Sequence, residues 1–65
     1  MQPEVLKILR DHSIPFDAGG DGSQVLLHRG QADPDVLRSL GFRISHFIGH
    51  QMVVSFKGRR VGVLS

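Results

Sequence analysis

The stretch FRISHFIGHQMVVSFKGRRVGVLS, residues 42–65, decides the fold of this chain. It is rich in Val, Ile and Phe, which favour strands, and two glycine-containing turns, IGHQ and FKGRR, divide it into three segments. Gly49 as the first residue of a two-residue loop suits the primed turns of hairpins. The second loop is either Lys57-Gly58 or Gly58-Arg59, and both choices keep the same side-chain parity. The stretch therefore predicts three antiparallel strands.

The predicted register gives these strands one core face and a second face that is unusually apolar. The core face is expected to contain Phe47, Met52, Val54, Phe56, Val61 and Val63. The opposite face is expected to contain Ile44, His46, Ile48, Val53 and Leu64. A sheet with one solvated face should alternate more cleanly, so either another element covers the second face or it meets another molecule. A slip of one residue would exchange the two faces of the first strand.

The first half of the chain predicts a helix followed by a hairpin. Residues 3–12 read as a helix, because Pro3 suits its first position and Val5, Ile8 and Leu9 follow helical spacing. Ile14 to Asp17 and Gln24 to His28 read as short strands. The glycine-rich AGGDG between them is expected to be a plain turn, since the residues of a phosphate loop or an EF-hand are missing around it.

The segment ADPDVLRSLGF, residues 32–42, predicts a second short helix. Asp33 can cap it, Pro34 occupies its first turn, and Gly41 can end it in the left-handed conformation. Its expected apolar face consists of Val36, Leu37 and Leu40. The whole chain, residues 1–65, is then one small α+β domain of order α-β-β-α-β-β-β. A mainly antiparallel sheet carries the two short helices on one face.

Composition narrows the classes of protein to which the chain can belong. It contains no cysteine, so neither disulfides nor thiolate chemistry are expected. Its start lacks the pattern of a signal peptide, and its apolar runs are too short for a membrane span. A cytoplasmic protein of a bacterium or phage is the expectation, with no membrane contact, no cofactor and no metal.

Charge divides the chain into two unequal halves. All six acidic residues lie within residues 1–35, whereas residues 36–65 contain five basic residues and no acid. An acid-free basic segment is typical of a surface that meets polyanions, although solvated Lys and Arg also protect sheet edges from pairing. The predicted nucleic-acid contacts are Lys57, Arg59 and Arg60 at the second turn, with Arg43 and Arg38 in support.

Histidines are the remaining candidates for chemistry. His46 and His50 are spaced as a metal-binding pair, and two imidazoles could act as acid and base on an RNA 2′-hydroxyl. However, no Asp or Glu follows Asp35, and the two rings diverge if Gly49-His50 is a turn. One half-buried and one exposed histidine is the favoured interpretation, so the sequence favours a protein that is not an enzyme.

The segment VLKILRDHSIPFDAGGDGSQVLLHRG, residues 5–30, loosely resembles two families with a helix, an apolar strand, a glycine turn and a second strand. One is the ring-building motif of flagellar and secretion-system rings, and the other is a set of short phage-encoded proteins of unknown role. The resemblance covers less than half of the chain and transfers no functional residue.

Three functional hypotheses follow. The first is a small non-catalytic module that binds the DNA or RNA backbone non-specifically through its basic C-terminal hairpin. The second is a protein-interaction or self-assembly module, such as a homodimer or a phage or secretion assembly component, which uses the second apolar face of the sheet. The third is a small histidine-based ribonuclease.

Overall fold

The computed structural model describes residues 3–19 and 23–65, and within them it shows two helices and five strands. The elements are α1 (Pro3–Asp11), β1 (Asp17–Gly19), β2 (Gln24–Leu27), α2 (Pro34–Ser39), β3 (Phe42–Ile48), β4 (Gln51–Phe56) and β5 (Arg59–Leu64). One sheet contains all five strands in the order β1-β2-β5-β4-β3. Every neighbouring pair is antiparallel except β2 and β5, which are parallel. The predicted α+β fold and its order of elements are confirmed.

The first helix ends earlier than predicted because the chain turns sharply after it. Ser13 adopts a left-handed φ of 55°, its amide donates to the Arg10 carbonyl, and the Ile14 amide donates to the Leu9 carbonyl. This pattern is a Schellman motif, in which a left-handed residue closes the last helical turn. The next residues therefore leave the helix as irregular chain, with Ile14 buried in the core. The predicted strand at Ile14 to Asp17 was misplaced, since β1 begins only at Asp17.

The second helix has the predicted ends but a narrower apolar face. Asp33 is its N-cap and accepts a 2.8 Å hydrogen bond from the Asp35 amide, Pro34 opens the helix, and Gly41 follows it with a φ of 103°. Leu37 is completely buried, whereas Val36 remains 44% exposed. Val36 was therefore wrongly assigned to the buried face.

Both hairpin turns of the C-terminal half lie where the sequence predicts them. Gly49 has a φ of 56°, and the second loop is Lys57-Gly58, with φ values of 52° and 79°. Positive φ at both central residues is the type I′ geometry, whose twist matches that of the flanking strands. Gly20, Asp21 and Gly22 of the predicted AGGDG turn lie outside the described residues.

Two bulges change which residues face the core. In β3 the pairing passes from His46 opposite Met52 to Ile48 opposite Gln51, so Phe47 is an extra residue, whose side chain lies outside the described part of the structure. In β5 the extra residue is Val61, between Arg60 opposite Ser55 and Gly62 opposite Val54. Because each bulge shifts the register by one residue, it exchanges the faces of the residues beyond it.

The predicted second face is corrected accordingly. Leu64 lies opposite Met52 and is completely buried, and Ile44 lies opposite Val54 and packs against the core. His46 follows Ile44 onto the core side of the strand but is exposed. Val63, expected in the core, instead pairs with Val53 and is only half-buried.

The core lies between the sheet and the two helices, which pack on the same face. Val5 and Leu9 of α1 and Leu37 of α2 are completely buried in one cluster with residues of the sheet. The sheet contributes Val25, Leu27, Phe42, Val54, Phe56, Val61 and Leu64 to this cluster. Phe42 and Phe56 are cross-strand partners whose ring centroids lie 5.0 Å apart, a distance typical of a stabilising aromatic pair. The opposite face of the sheet carries neither helix.

Gly62 allows β5 to lie against β2. A Cβ at this position would lie 2.5 Å from Val25 Cγ2 and closer still to the Val25 carbonyl oxygen. Glycine is required where a neighbouring backbone approaches this closely, irrespective of φ. The parallel pairing of Val25 with Gly62 therefore depends on the absence of a side chain.

We expect Gly62→Ala to lower the free energy of unfolding by about 3 kcal/mol, because the methyl group overlaps the Val25 backbone. Gly30→Ala is the matched control, since a Cβ there meets nothing within 4 Å, and its effect should stay within about 0.5 kcal/mol. Urea titration followed by circular dichroism measures both variants. Equal stability of the two would contradict the proposed close contact.

Candidate nucleic-acid interface

Strand pairing gathers four basic residues at one end of the sheet. Arg59 begins β5 and lies opposite Phe56, the last residue of β4, while Lys57 lies in the turn that joins them. Arg43, the second residue of β3, lies opposite Ser55, which in turn lies opposite Arg60. Arg43, Lys57, Arg59 and Arg60 are all exposed, and we call them the basic end.

The four basic residues surround the end of the sheet rather than lining one face. Arg43, Ser55 and Arg60 form one cross-strand row on the face that carries no helix. Adjacent strands are about 4.8 Å apart, so the Cα atoms of Arg43 and Arg60 are about 10 Å apart with Ser55 between them. Arg59 pairs with the buried Phe56 and therefore belongs to the opposite side of the sheet. A ligand at the basic end would meet guanidinium groups on both sides.

Lys57 contacts an acid from the N-terminal half. Its Nζ donates to both carboxylate oxygens of Glu4, at 2.9 and 3.2 Å, and lies 5.5 Å from the centroid of the Phe56 ring. The side chains of Lys57 and Glu4 are 66% and 50% exposed. Exposed ion pairs of this kind contribute about 0–1 kcal/mol, so a phosphate group can compete with Glu4 for the ammonium.

Arg38 does not join the basic end. It lies on α2, and its guanidinium donates to Asp35 Oδ1 at 3.0 Å, one turn earlier on the same helix. The pair is highly exposed. Of the five predicted contacts, the structure thus brings four together and leaves Arg38 in a local pair on a helix.

The other acids of the N-terminal half make contacts of their own. Asp17 Oδ2 lies 3.4 Å from His28 Nε2, Asp33 caps α2, and Asp11 accepts a 2.6 Å hydrogen bond from Lys7. This hydrogen bond and the attraction between the charges lower the pKa of Asp11 and raise the pKa of Lys7. Asp21 lies outside the described residues. Glu4 differs from these acids because it contacts the basic end, through Lys57.

The face without helices differs from the interface that the sequence predicts. Two of the predicted interface residues do lie on this face: Val53, which is half-buried, and Ile48, which is 68% exposed. Ile44 and Leu64 belong to the core, and His46 belongs to the core side of β3. Leu26, which the sequence interpretation assigned to neither face, and Val63, which it assigned to the core, lie next to each other on this face. Only the parallel pairing of β2 with β5 brings these two residues together, and no local sequence pattern predicts that pairing.

The histidines occupy separate parts of the sheet. His46 lies within β3 opposite Met52, and His50 lies in the β3–β4 turn, where its carbonyl accepts a hydrogen bond from Arg29. His28 has Asp17 on one side and Ser65 Oγ 3.3 Å from its Nδ1 on the other, in an exposed chain of long polar contacts. Across residues 3–19 and 23–65, no three His, Asp or Glu side chains are grouped to hold a metal ion.

No family model, no curated protein and no solved structure matches this chain. Neither of the helices within the described residues is long and apolar enough to cross a membrane.

The Lys7–Asp11 pair gives a titration that tests the described charge contacts. We expect the Asp11 carboxyl to titrate below 3.8 and to move up toward 3.8 in Lys7→Gln, measured by NMR of the carboxyl carbon. Since the folded-state pKa is the lowered one, the pair stabilises the fold above the unfolded-state pKa, and this contribution disappears as the pH falls through the folded-state value. An Asp11 titration that Lys7→Gln leaves unchanged would contradict the contact.

Proposed function

We propose that this protein is a small non-catalytic module that binds the phosphate backbone of nucleic acid through the basic end. Three observations support the proposal: the four exposed basic residues converge there, they reach both sides of the sheet, and residues 36–65 contain no acid. The convergence of these four residues is the main observation in favour of the proposed function. Arg43 is distant in sequence from the β4–β5 turn, yet pairing through Ser55 puts it in the same row as Arg60.

The expected mode of binding is ionic and tolerant of sequence. Guanidinium and ammonium groups that neutralise phosphates release counterions, so affinity falls steeply with salt. With up to four phosphates contacted, the slope of log K against log salt is about −3 to −4 on duplex DNA. Among the residues with described side chains, Phe42 and Phe56 are buried and Phe16 is half-buried. The described part of the chain therefore offers no exposed aromatic ring on which bases could stack, which favours contact with the backbone of a duplex.

The first experiment removes the turn charges. We expect Lys57/Arg59/Arg60→Ala to weaken binding of a labelled DNA duplex by at least about tenfold at low salt and to flatten the salt slope by about 2–3, because three phosphate contacts are lost. Fluorescence anisotropy across a salt series measures both quantities, and circular dichroism checks that the variant is folded.

The matched control is Lys7/Arg10/Arg38→Ala, which removes the same number of positive charges from exposed helical positions. It should retain the wild-type salt slope and lose little affinity. If the two triple variants lose affinity equally, net charge rather than the basic end drives binding. If neither loses affinity, the proposed function is wrong.

The contact between Glu4 and Lys57 leads to the opposite prediction, namely a substitution that strengthens duplex binding. Glu4→Gln should strengthen duplex binding by up to about fivefold, because the Lys57 ammonium no longer has to leave a carboxylate. Asp11→Asn on the same helix makes the same change in net charge but releases Lys7 instead. It should change affinity clearly less, and equal gains from both variants would count against a local role of Glu4.

A further inference from the structure

A cross-strand row of side chains runs over the whole width of the sheet on the face without helices. The registers place Asp17 beside Leu26, Leu26 beside Val63, Val63 beside Val53, and Val53 beside Ser45. Leu26 is 38% exposed, and Val53 and Val63 are half-buried. We call the face that carries this row the open face. Its centre is apolar, an acid marks its β1 edge, and Arg43 lies two residues from Ser45 on its β3 edge.

We propose that the open face packs against the open face of a second copy, which makes the protein a homodimer with a two-layer sheet interior. The proposal does not rest on nucleic-acid binding, although Arg43 and Arg60 of the basic end lie on this face. The occupant is a second copy because symmetry brings Asp17 of each copy near Arg43 of the other, on either side of an apolar centre.

The charge argument follows from the symmetry of such a pair. A two-fold axis that runs parallel to the strands, between the two sheets and above the central strand β5, lays β1 of one copy over β3 of the other and β2 over β4. Leu26 then faces Val53 of the second copy, and the two Val63 side chains meet at the axis. Asp17 faces Ser45 of the second copy, about 7 Å along the strand from its Arg43, which an arginine side chain can span. Acid and base thus meet twice, once at each edge.

The size of the open face suits a weak dimer. The five strands are three to seven residues long and about 4.8 Å apart, so the face covers about 400 Å². Two such faces bury about 800 Å², which is in the range of weak, transient interfaces. Arg60 lies at the hairpin end of this face, three residues along β5 from Val63 of the apolar row. The apolar row is therefore covered while the charges remain at the rim.

Sedimentation equilibrium without nucleic acid tests the proposal directly. We expect the wild-type chain to pass from monomer to dimer between low-micromolar and near-millimolar concentration. Leu26→Lys should stay monomeric, because it places a charge in the apolar row. Val36→Lys on α2 is the matched control, since Val36 is similarly exposed at 44%, and it should dimerise like the wild type.

A charge exchange tests the orientation. Asp17→Arg and Arg43→Asp should each weaken dimerisation by about tenfold, because symmetry makes each substitution act twice, and the double variant should restore it. Circular dichroism confirms that each variant folds. A wild-type chain that remains monomeric, or a Leu26→Lys chain that dimerises normally, overturns the homodimer. A double variant weaker than both single variants overturns the arrangement of β1 over β3.

Discussion

The close approach of β2 to β5 at Gly62 is the contact on which the rest of the structure depends. It is the pairing through which the hairpin of the first half joins the three strands of the second half in one sheet. Val25 and Leu27 of β2 lie in one core cluster with Leu64 of the neighbouring β5. A single methyl group on Gly62 would collide with the Val25 backbone. The five-stranded sheet, and with it the core and the open face, therefore depends on the absence of a side chain at Gly62.

The two bulges determine which side chains lie on the open face of the sheet. Each adds one residue to one strand, at Phe47 and at Val61, and each thereby exchanges the residues that face the helices with those that face away. Without them Leu64 would lie on the open face and Val63 in the core. With them, the core receives the larger aliphatic side chain, and a modest apolar row remains outside. The bulge in β5 thus places Leu64 in the core and Val63 on the open face.

The same strand pairing explains the distribution of charge. Asp11 and Asp35 lie on the helices and pair with Lys7 and Arg38, which are close in sequence. Asp33 caps α2. Glu4 is different, because α1 packs on the sheet and brings its carboxylate to Lys57 at the β4–β5 turn. The basic end is therefore formed by residues of β3, β5 and the β4–β5 turn, and Glu4 of α1 adds a negative charge beside Lys57. Charge at this end reflects packing as well as composition.

The amino-acid sequence by itself determined the features that depend on neighbouring residues: the Asp33 cap, Pro34 and Gly41 of α2, the turns at Gly49 and around Gly58, and the order of helices and strands. Local chemistry decides these, because a cap or a primed turn needs only a few adjacent residues. Only the tertiary structure decided the parallel β2–β5 pairing, the bulges, and hence which of Ile44, Val63 and Leu64 are buried. These depend on contacts between residues far apart in the chain, where a shift of one residue reverses the face without changing the local pattern.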